Sequence, residues 1–301
     1  MSIALRIRPS HLLGLLGGLL VVGLMGGMLT AHAHAADTKV IWHGHAAFEI
    51  VTPKGHVLMI DPWLSNPKNP DAGEGKDPLA GVGKVDYILI THGHFDHVGD
   101  AVAIAKKTGA RLVTNYELGT NMVKLLGYPK DQLGFDTLMN IGGDITIADG
   151  EVKVHMTPAV HSSGLQNPNA KPDQPDLVYG GEAAGFVLTI EGGPTIYDTG
   201  DTAYFGDMCD IGHCNRITLA LMNTGGHFGM EPEKAAEAAK AVRAKYVVAH
   251  HWGTFPILAQ DTTAFEAALK RHRWFSFRHR PRFVPLAPGG TLVFEGNELK
   301  E

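Results

Sequence analysis

Four side chains of metal-binding type stand within six residues, His92-Gly93-His94-Phe95-Asp96-His97, directly behind the continuous apolar run Val85–Thr91. A run of that kind reads as a strand buried on both faces, so the motif begins where a buried strand ends. In an extended turn, residues two apart project to one side, and His92 and His94 can therefore converge on one metal ion. Asp96 and His97 follow where a helix would start, turned towards a neighbouring position. Imidazole and carboxylate donors suit zinc, and also iron, manganese or nickel. At a buried strand end they need protons, water or a metal to satisfy them. Solvated surface histidines are the alternative, and they leave the crowding of these groups unexplained.

Further ligand types lie at other strand ends. His161 follows the expected strand Val152–Thr157, Asp201 lies just after Thr195–Tyr197, and His251 just after Tyr246–Ala249. A lone histidine is more often structural, so each counts only in combination. Together they supply the two histidines and the bridging carboxylate that a paired metal site needs. Periodicity predicts a hairpin over Lys39–Ile41 and Ala47–Val51, a strand Val57–Ile60 running into Asp61-Pro62, and a helix Val98–Thr108. It also predicts a helix around Leu118–Leu126, strands Thr137–Ile141, Ile145–Ala148, Phe186–Ile190 and Ile217–Met222, and a helix Pro232–Arg243. Pro232 fits the first turn of that helix, where a missing N–H costs nothing. Two irregular segments, Leu64–Lys84 and Ser162–Glu182, are long for a compact domain. Lying beside the histidine segments, they read as walls or a lid of the site, with surface insertions as the alternative.

The 301 residues are 44% hydrophobic and 19% charged, which excludes a coiled coil, a collagen-like chain or a wholly disordered protein. Two cysteines exclude a disulfide-rich scaffold or a cysteine-built zinc module. At the start, Arg6 and Arg8 precede the uncharged stretch Leu12–Leu29, and Ala31-His32-Ala33-His34-Ala35-Ala36 offers small residues at the spacing a signal peptidase reads. Residues 1–35 are therefore expected to be a signal peptide and residues 36–301 a single domain in an oxidising compartment, periplasmic or secreted. An uncleaved membrane anchor is the alternative. Loss of the leader removes both arginines and leaves the chain more acidic than its formal −5. An acidic chain is a poor binder of nucleic acid or of anionic membranes, so membrane contact is expected only through the leader.

The motif His-x-His-x-Asp-His, with later His, Asp and His, resembles the metallo-β-lactamase superfamily. Gly44-His45-Ala46, Ile60-Asp61-Pro62-Trp63, Asn66-Pro67, Thr91–Gly99, His161-Ser162-Ser163-Gly164, Gly200-Asp201-Thr202 and His251 with Gly253-Thr254-Phe255-Pro256 resemble its "metal-dependent hydrolase" branch, which is similar to L-ascorbate-6-phosphate lactonases. The resemblance implies an α/β fold, a four-layer αβ/βα sandwich with the site at one edge of two sheets. It implies that His92, His94 and His161 hold one metal, that Asp96, His97 and His251 hold a second, and that Asp201 bridges both. Asp61 would orient a ligand histidine through its other ring nitrogen. The motif favours His251 over His250, which would point to the opposite side of an extended segment. His45 and His227 are expected beside the metals, touching a ligand or the substrate; for His227 a packing role is the alternative. Cys209 and Cys214 are expected to form a local disulfide if the chain is exported, with a metal clip or separate thiols as alternatives. The basic run Lys270-Arg271-His272-Arg273, continued by Arg278, Arg280 and Arg282, reads as the solvated end of a helix around Thr262–Leu269, with anion binding as the alternative.

Two divalent metals about 3.5–4 Å apart would share a water and lower its pKa. Zinc is favoured by export, while manganese, iron or nickel also suit the donor set. The bridging hydroxide would attack a small-molecule substrate, with Asp96 taking its proton and Asp201 holding both ions. There is no Gly-x-Ser-x-Gly elbow. Lactone or related ester hydrolysis is the first expectation, phosphodiester hydrolysis on the same site the second, and a non-catalytic metal-binding module the third. N-terminal sequencing of the protein recovered from its native host tests the leader. A start near Ala36 is expected, and an intact Met1 overturns cleavage.

Overall fold

The computed structural model describes residues 36–271 and 280–301. The expected signal peptide and residues 272–279 of the basic run lie outside the described residues. From the start of the domain, β1 (Thr38–Trp42) and β2 (Phe48–Val51) pair antiparallel with Val40 opposite Ile50, and β3 (Val57–Ile60) continues the meander. Val40, Trp42, Phe48 and Ile50 are fully buried while their neighbours Lys39 and Glu49 are not, the alternation a strand with one packed face requires. Next come β4 (Tyr87–Leu89), α1 (Phe95–Val98), α2 (Ala101–Thr108), β5 (Arg111–Asn115), α3 (Tyr116–Asn121) and β6 (Leu138–Met139).

A second series follows: β7 (Asp144–Ile147), β8 (Val152–Pro158), β9 (Gly164–Gln166), β10 (Leu177–Tyr179), β11 (Ala184–Ile190) and β12 (Thr195–Asp198). It continues with α4 (Met208–Asn215), β13 (Leu219–Asn223), α5 (Pro232–Ala241), β14 (Tyr246–His250), α6 (Thr263–Arg271), β15 (Arg282–Phe283), β16 (Thr291–Glu295) and β17 (Glu298–Leu299). One sheet runs β17-β16-β1-β2-β3-β4-β5-β6, the other β15-β14-β13-β12-β11-β8-β7.

Side-chain alternation divides these strands among three cores. Leu58, Ile60 and Leu89 of the first sheet meet Phe186, Leu188, Leu219, Leu221 and Val248 of the second in a central core. The alternate residues Met59, Ile88 and Leu112 turn outwards onto Ala101, Ile104, Ala105 and Leu118 of α2 and α3. Tyr197, Ala220, Met222 and Val247 turn outwards onto Ala235, Ala239 and Phe265 of α5 and α6. The result is the expected four-layer αβ/βα sandwich. β3, β4 and β5 are parallel, as are β12, β13 and β14. Their C-terminal ends deliver Asp61, His92, Asp201 and His251.

Several expectations need correction. The helix expected over Val98–Thr108 is two helices broken at Gly99, where an added Cβ would stand 2.6 Å from Trp63 Cα and Cβ. Close packing of Trp63 forces the break, so Asp96 and His97 ride on a separate single turn. The helix around Leu118–Leu126 passes after α3 into a π turn over Met122–Leu126. The segment Ser162–Glu182 is not wholly irregular, since β9 and β10 pair within it, Leu177 opposite Gln166. At the C-terminus β16 adds to the free edge of β1, with Leu292 opposite Val40. Cys209 and Cys214 are exposed free thiols on α4. Five helical positions rotate by roughly 140° beyond a full turn, so the two side chains leave on different faces and the expected disulfide is not formed. In the basic run, Lys270 pairs with Glu266, Arg271 with Glu233 and Arg282 with Glu301, as a solvated helix end would.

Gly99→Ala is expected to cost about 1–3 kcal/mol by overpacking against main chain that cannot give way. Urea unfolding measures it, and an unchanged midpoint would show that Trp63 does not hold the break.

Candidate metal centre

The side chains from the strand ends meet in two adjoining groups. His92 Nε2 lies 3.0 Å from His94 Nδ1, and His161 Nε2 lies 3.3 Å from the same atom. His45, Asp96, His97 and His251 form the second group, and within each group the ligand atoms lie within 4.8 Å of one another. Between the groups stands Asp201. Its Oδ2 is 3.1 Å from His251 Nε2, 3.4 Å from His97 Nε2 and 3.7 Å from His161 Nε2, so one oxygen faces both.

Surrounding hydrogen bonds fix which nitrogen of each ring faces inwards. Asp61 accepts from the Thr91 amide at 2.8 Å, the Thr91 hydroxyl at 2.6 Å and His97 Nδ1 at 2.6 Å. With its proton committed to Asp61, the Thr91 hydroxyl accepts from His92 Nδ1 at 2.9 Å. In their neutral forms the two rings thereby present an unprotonated Nε2 to a metal, the arrangement metal-ligating histidines use. Asn223 Nδ2 donates to Asp201 Oδ1 at 2.6 Å and leaves Oδ2 to the centre. His45, fully buried, spans from Thr254 Oγ1 at Nδ1 to Asp96 Oδ2 at Nε2, 2.9 Å each.

His97 Nε2 and both ring nitrogens of His251 are buried without a hydrogen-bond partner. Orphaned buried groups of this kind call for an unseen ion or water, and a neutral imidazole has only one proton to share among three converging rings. The donor set fits divalent metal. The cluster also shows how burial and charge compete. Burial and neighbouring histidines hold His92, His94 and His161 below their ordinary pKa, and push His45 down to about 4. Burial opposes charge on His251 too, yet Asp201 and Asp96 outweigh it and raise it to about 9. His97 is likewise raised against burial, by Asp201 and Asp61. Despite burial, His251 and His97 hold the Asp201 carboxyl low, and the nearby His251 ring and the hydrogen-bonded His45 do the same for Asp96.

Three residues of this edge take left-handed backbone without being glycine: His45 at φ 51°, Asp61 at 43° and His251 at 62°. Such strain costs on the order of 1–3 kcal/mol per residue and gathers at functional sites. At His251 it turns the ring towards Asp201, while the His250 ring packs edge-on against Phe48 in the sandwich, centroids 5.6 Å apart. His227 is the exception among the expected residues. It is exposed, its ring packs on Phe228, and among the described residues it bonds to no member of the cluster. The loop Thr224–Met230 carries it outwards, with its amide tied to Glu231. Thr91 and Thr254, quoted in the sequence only within longer motifs and given no role there, and Asn223, not singled out at all, complete the site. The signal for Asn223 was its place at a strand end, like Asp201.

A family profile described as "Beta-lactamase superfamily domain" matches residues 56–252. A UPF0173 metal-dependent hydrolase of Thermodesulfovibrio yellowstonii is 46% identical over 236 residues, 78% of this chain and 86% of that protein. One from Anaeromyxobacter dehalogenans is 52% identical over 235 residues, 77% and 81% of the two chains. This chain belongs to the UPF0173 metal-dependent hydrolase family of the metallo-β-lactamase superfamily. Igni18, a metallo hydrolase from the archaeon Ignicoccus hospitalis, superposes with a TM-score of 0.70 at 30% identity, covering 86% of this hydrolase and 99% of Igni18.

With raised pKa values, His97 and His251 stabilise the metal-free hydrolase most below their unfolded value of 6.5, and that contribution disappears as pH rises through about 9. Asp198, pushed up to about 8 by burial and by Asp61, acts in the same direction. Metal binding needs the two imidazoles neutral. The melting temperature of chelator-stripped protein is therefore expected to fall from pH 6.5 to 9 while the increment on adding metal grows. A metal increment independent of pH would exclude both histidines as ligands.

Proposed function

We propose that this metal-dependent hydrolase opens a lactone or related ester at a paired metal site, with His92, His94 and His161 holding one ion, Asp96, His97 and His251 the other, and Asp201 shared. The observation that carries the reading is the position of Asp201 Oδ2, within 3.1–3.7 Å of ring nitrogens from both groups. When bound, two divalent ions such as zinc would supply Lewis acidity towards a carbonyl oxygen and a lowered pKa for water. The remaining work falls to the chain. Asp61 and Thr91 keep His97 and His92 in the tautomers that present Nε2. Asn223 orients Asp201. Asp96, ionised, accepts a hydrogen bond at Oδ2 from a neutral His45, whose other nitrogen meets Thr254, and this chain of hydrogen bonds fixes the direction of the carboxylate beside the site.

The metal-loaded protein is expected to hydrolyse small lactones but not aryl phosphodiesters, and to lose the activity to a chelator. Asp201→Asn keeps the shape and the bond to Asn223 but removes the shared charge. It is expected to lower kcat by at least the roughly 10–100-fold typical of changes around a metal site. Chelator-sensitive diester cleavage without lactone opening would overturn the substrate class, and full activity in Asp201→Asn would overturn the shared carboxylate.

A further inference from the structure

Among the described residues, three of the eight exposed large apolar side chains stand on segments that carry proposed metal ligands. Phe95, 58% exposed, stands between His94 and Asp96; Val160 precedes His161; Ile257 lies six residues after His251. Singly exposed apolar residues need no explanation, but their gathering on the segments that build one site does. Phe95 also belongs to a built wall. Its ring stands edge-on to Trp63 and to Phe255, at 5.6 and 6.4 Å, and those two rings stack 5.9 Å apart. Trp63 and Phe255 in turn pack edge-on to His45, at 5.2 and 5.8 Å, and His45 is hydrogen-bonded to Asp96. The wall is thus continuous with the second ligand group and is held rigidly by the contact of Trp63 with Gly99.

Charge near the site points the same way. The foremost electrostatic influences on the ligands Asp96, Asp201 and His251 come from histidines and carboxylates. Lys68 lies beside the site, its side chain over Gly253, 2.9 Å from where a Cβ would stand. An apolar body placed against the wall would find three aromatic rings. Apolar surface beside a few convergent polar groups is the make-up by which proteins hold small molecules.

We propose that the substrate is a neutral ester or lactone with an apolar alkyl or aryl group, which lies against Trp63, Phe95 and Phe255 while its carbonyl faces the Asp96–His251 group. This rests on the hydrolytic reading above. Each methylene laid on the wall is worth up to about fourfold in kcat/KM.

The test uses the metal-loaded hydrolase on γ-lactones with side chains from methyl to octyl and on an octyl analogue ending in a carboxylate. Binding of the matching 3-alkylcyclopentanones, in which a methylene replaces the ring oxygen and which cannot be hydrolysed, is measured by calorimetry with and without metal. The expected results are kcat/KM and ketone affinity that rise with chain length, and a loss when the carboxylate is added. In Phe95→Ser the octyl-to-methyl ratio is expected to fall about tenfold, whereas Phe135→Ser, at an exposed ring stacked on Tyr116, leaves the ratio unchanged. An unaltered ratio in Phe95→Ser overturns the proposal. So does a preference for the carboxylate that Lys68→Met abolishes, or a dimer that Phe95→Ser converts to monomer, since the wall would then be a contact between copies. If no lactone is hydrolysed but ketone affinity still follows chain length and Phe95, the hydrolytic reading falls while the apolar subsite stands.

Discussion

One buried carboxylate aligns the whole edge of the sandwich. Asp61 is 1% exposed and takes hydrogen bonds from the backbone and hydroxyl of Thr91 and from the His97 ring. A buried charge left without such partners is costly, so Asp61 has one stable arrangement, and that arrangement ties the end of β3 to the end of β4. From it follow the tautomer of His97, the direction of the Thr91 hydroxyl and so the tautomer of His92. Asn223 does for Asp201 on the second sheet what Thr91 does for Asp61 on the first. The proposed ligands are therefore oriented by the chain's own hydrogen bonds, as pre-organised sites require.

What was legible in the sequence is what residue type alone can announce. His92, His94, Asp96 and His97 crowd behind an apolar strand in a way that few structural roles explain, and the structure brings them together with His161, Asp201 and His251. Strand positions were legible for the same reason, since long apolar runs have few places to go. The break at Gly99 was not, because apolar residues continue on both sides and its cause is a tertiary contact with Trp63, far along the chain. The β9–β10 pair was hidden in a segment rich in proline, asparagine and aspartate, and β15 and β17, two residues each, were too short to show a period. The cysteine pair was judged by compartment, whereas helix geometry decides it. Asn223 carried no signal by type: its importance comes from standing 2.6 Å from Asp201.

The strained backbone at His45, Asp61 and His251 belongs to the same economy of position. The His251 amide donates to the His45 carbonyl at 3.0 Å, so two of the left-handed residues brace one another across the two sheets. A relaxed extended chain would carry each side chain past the point where the others meet. Conformational cost is concentrated where direction matters, and the central core of Phe186, Leu221, Val248 and their neighbours holds it in place.

The ligands divide between the two halves of the chain. His45, His92, His94, Asp96 and His97 come from the half of the chain that builds the first sheet, His161, Asp201 and His251 from the half that builds the second, so both groups of the proposed paired site draw on both sides. Neither half synthesised alone can own a complete site. Completion of the paired site is in this sense a test of assembly, passed only when β14 has closed against β13 and the His251 amide has reached the His45 carbonyl.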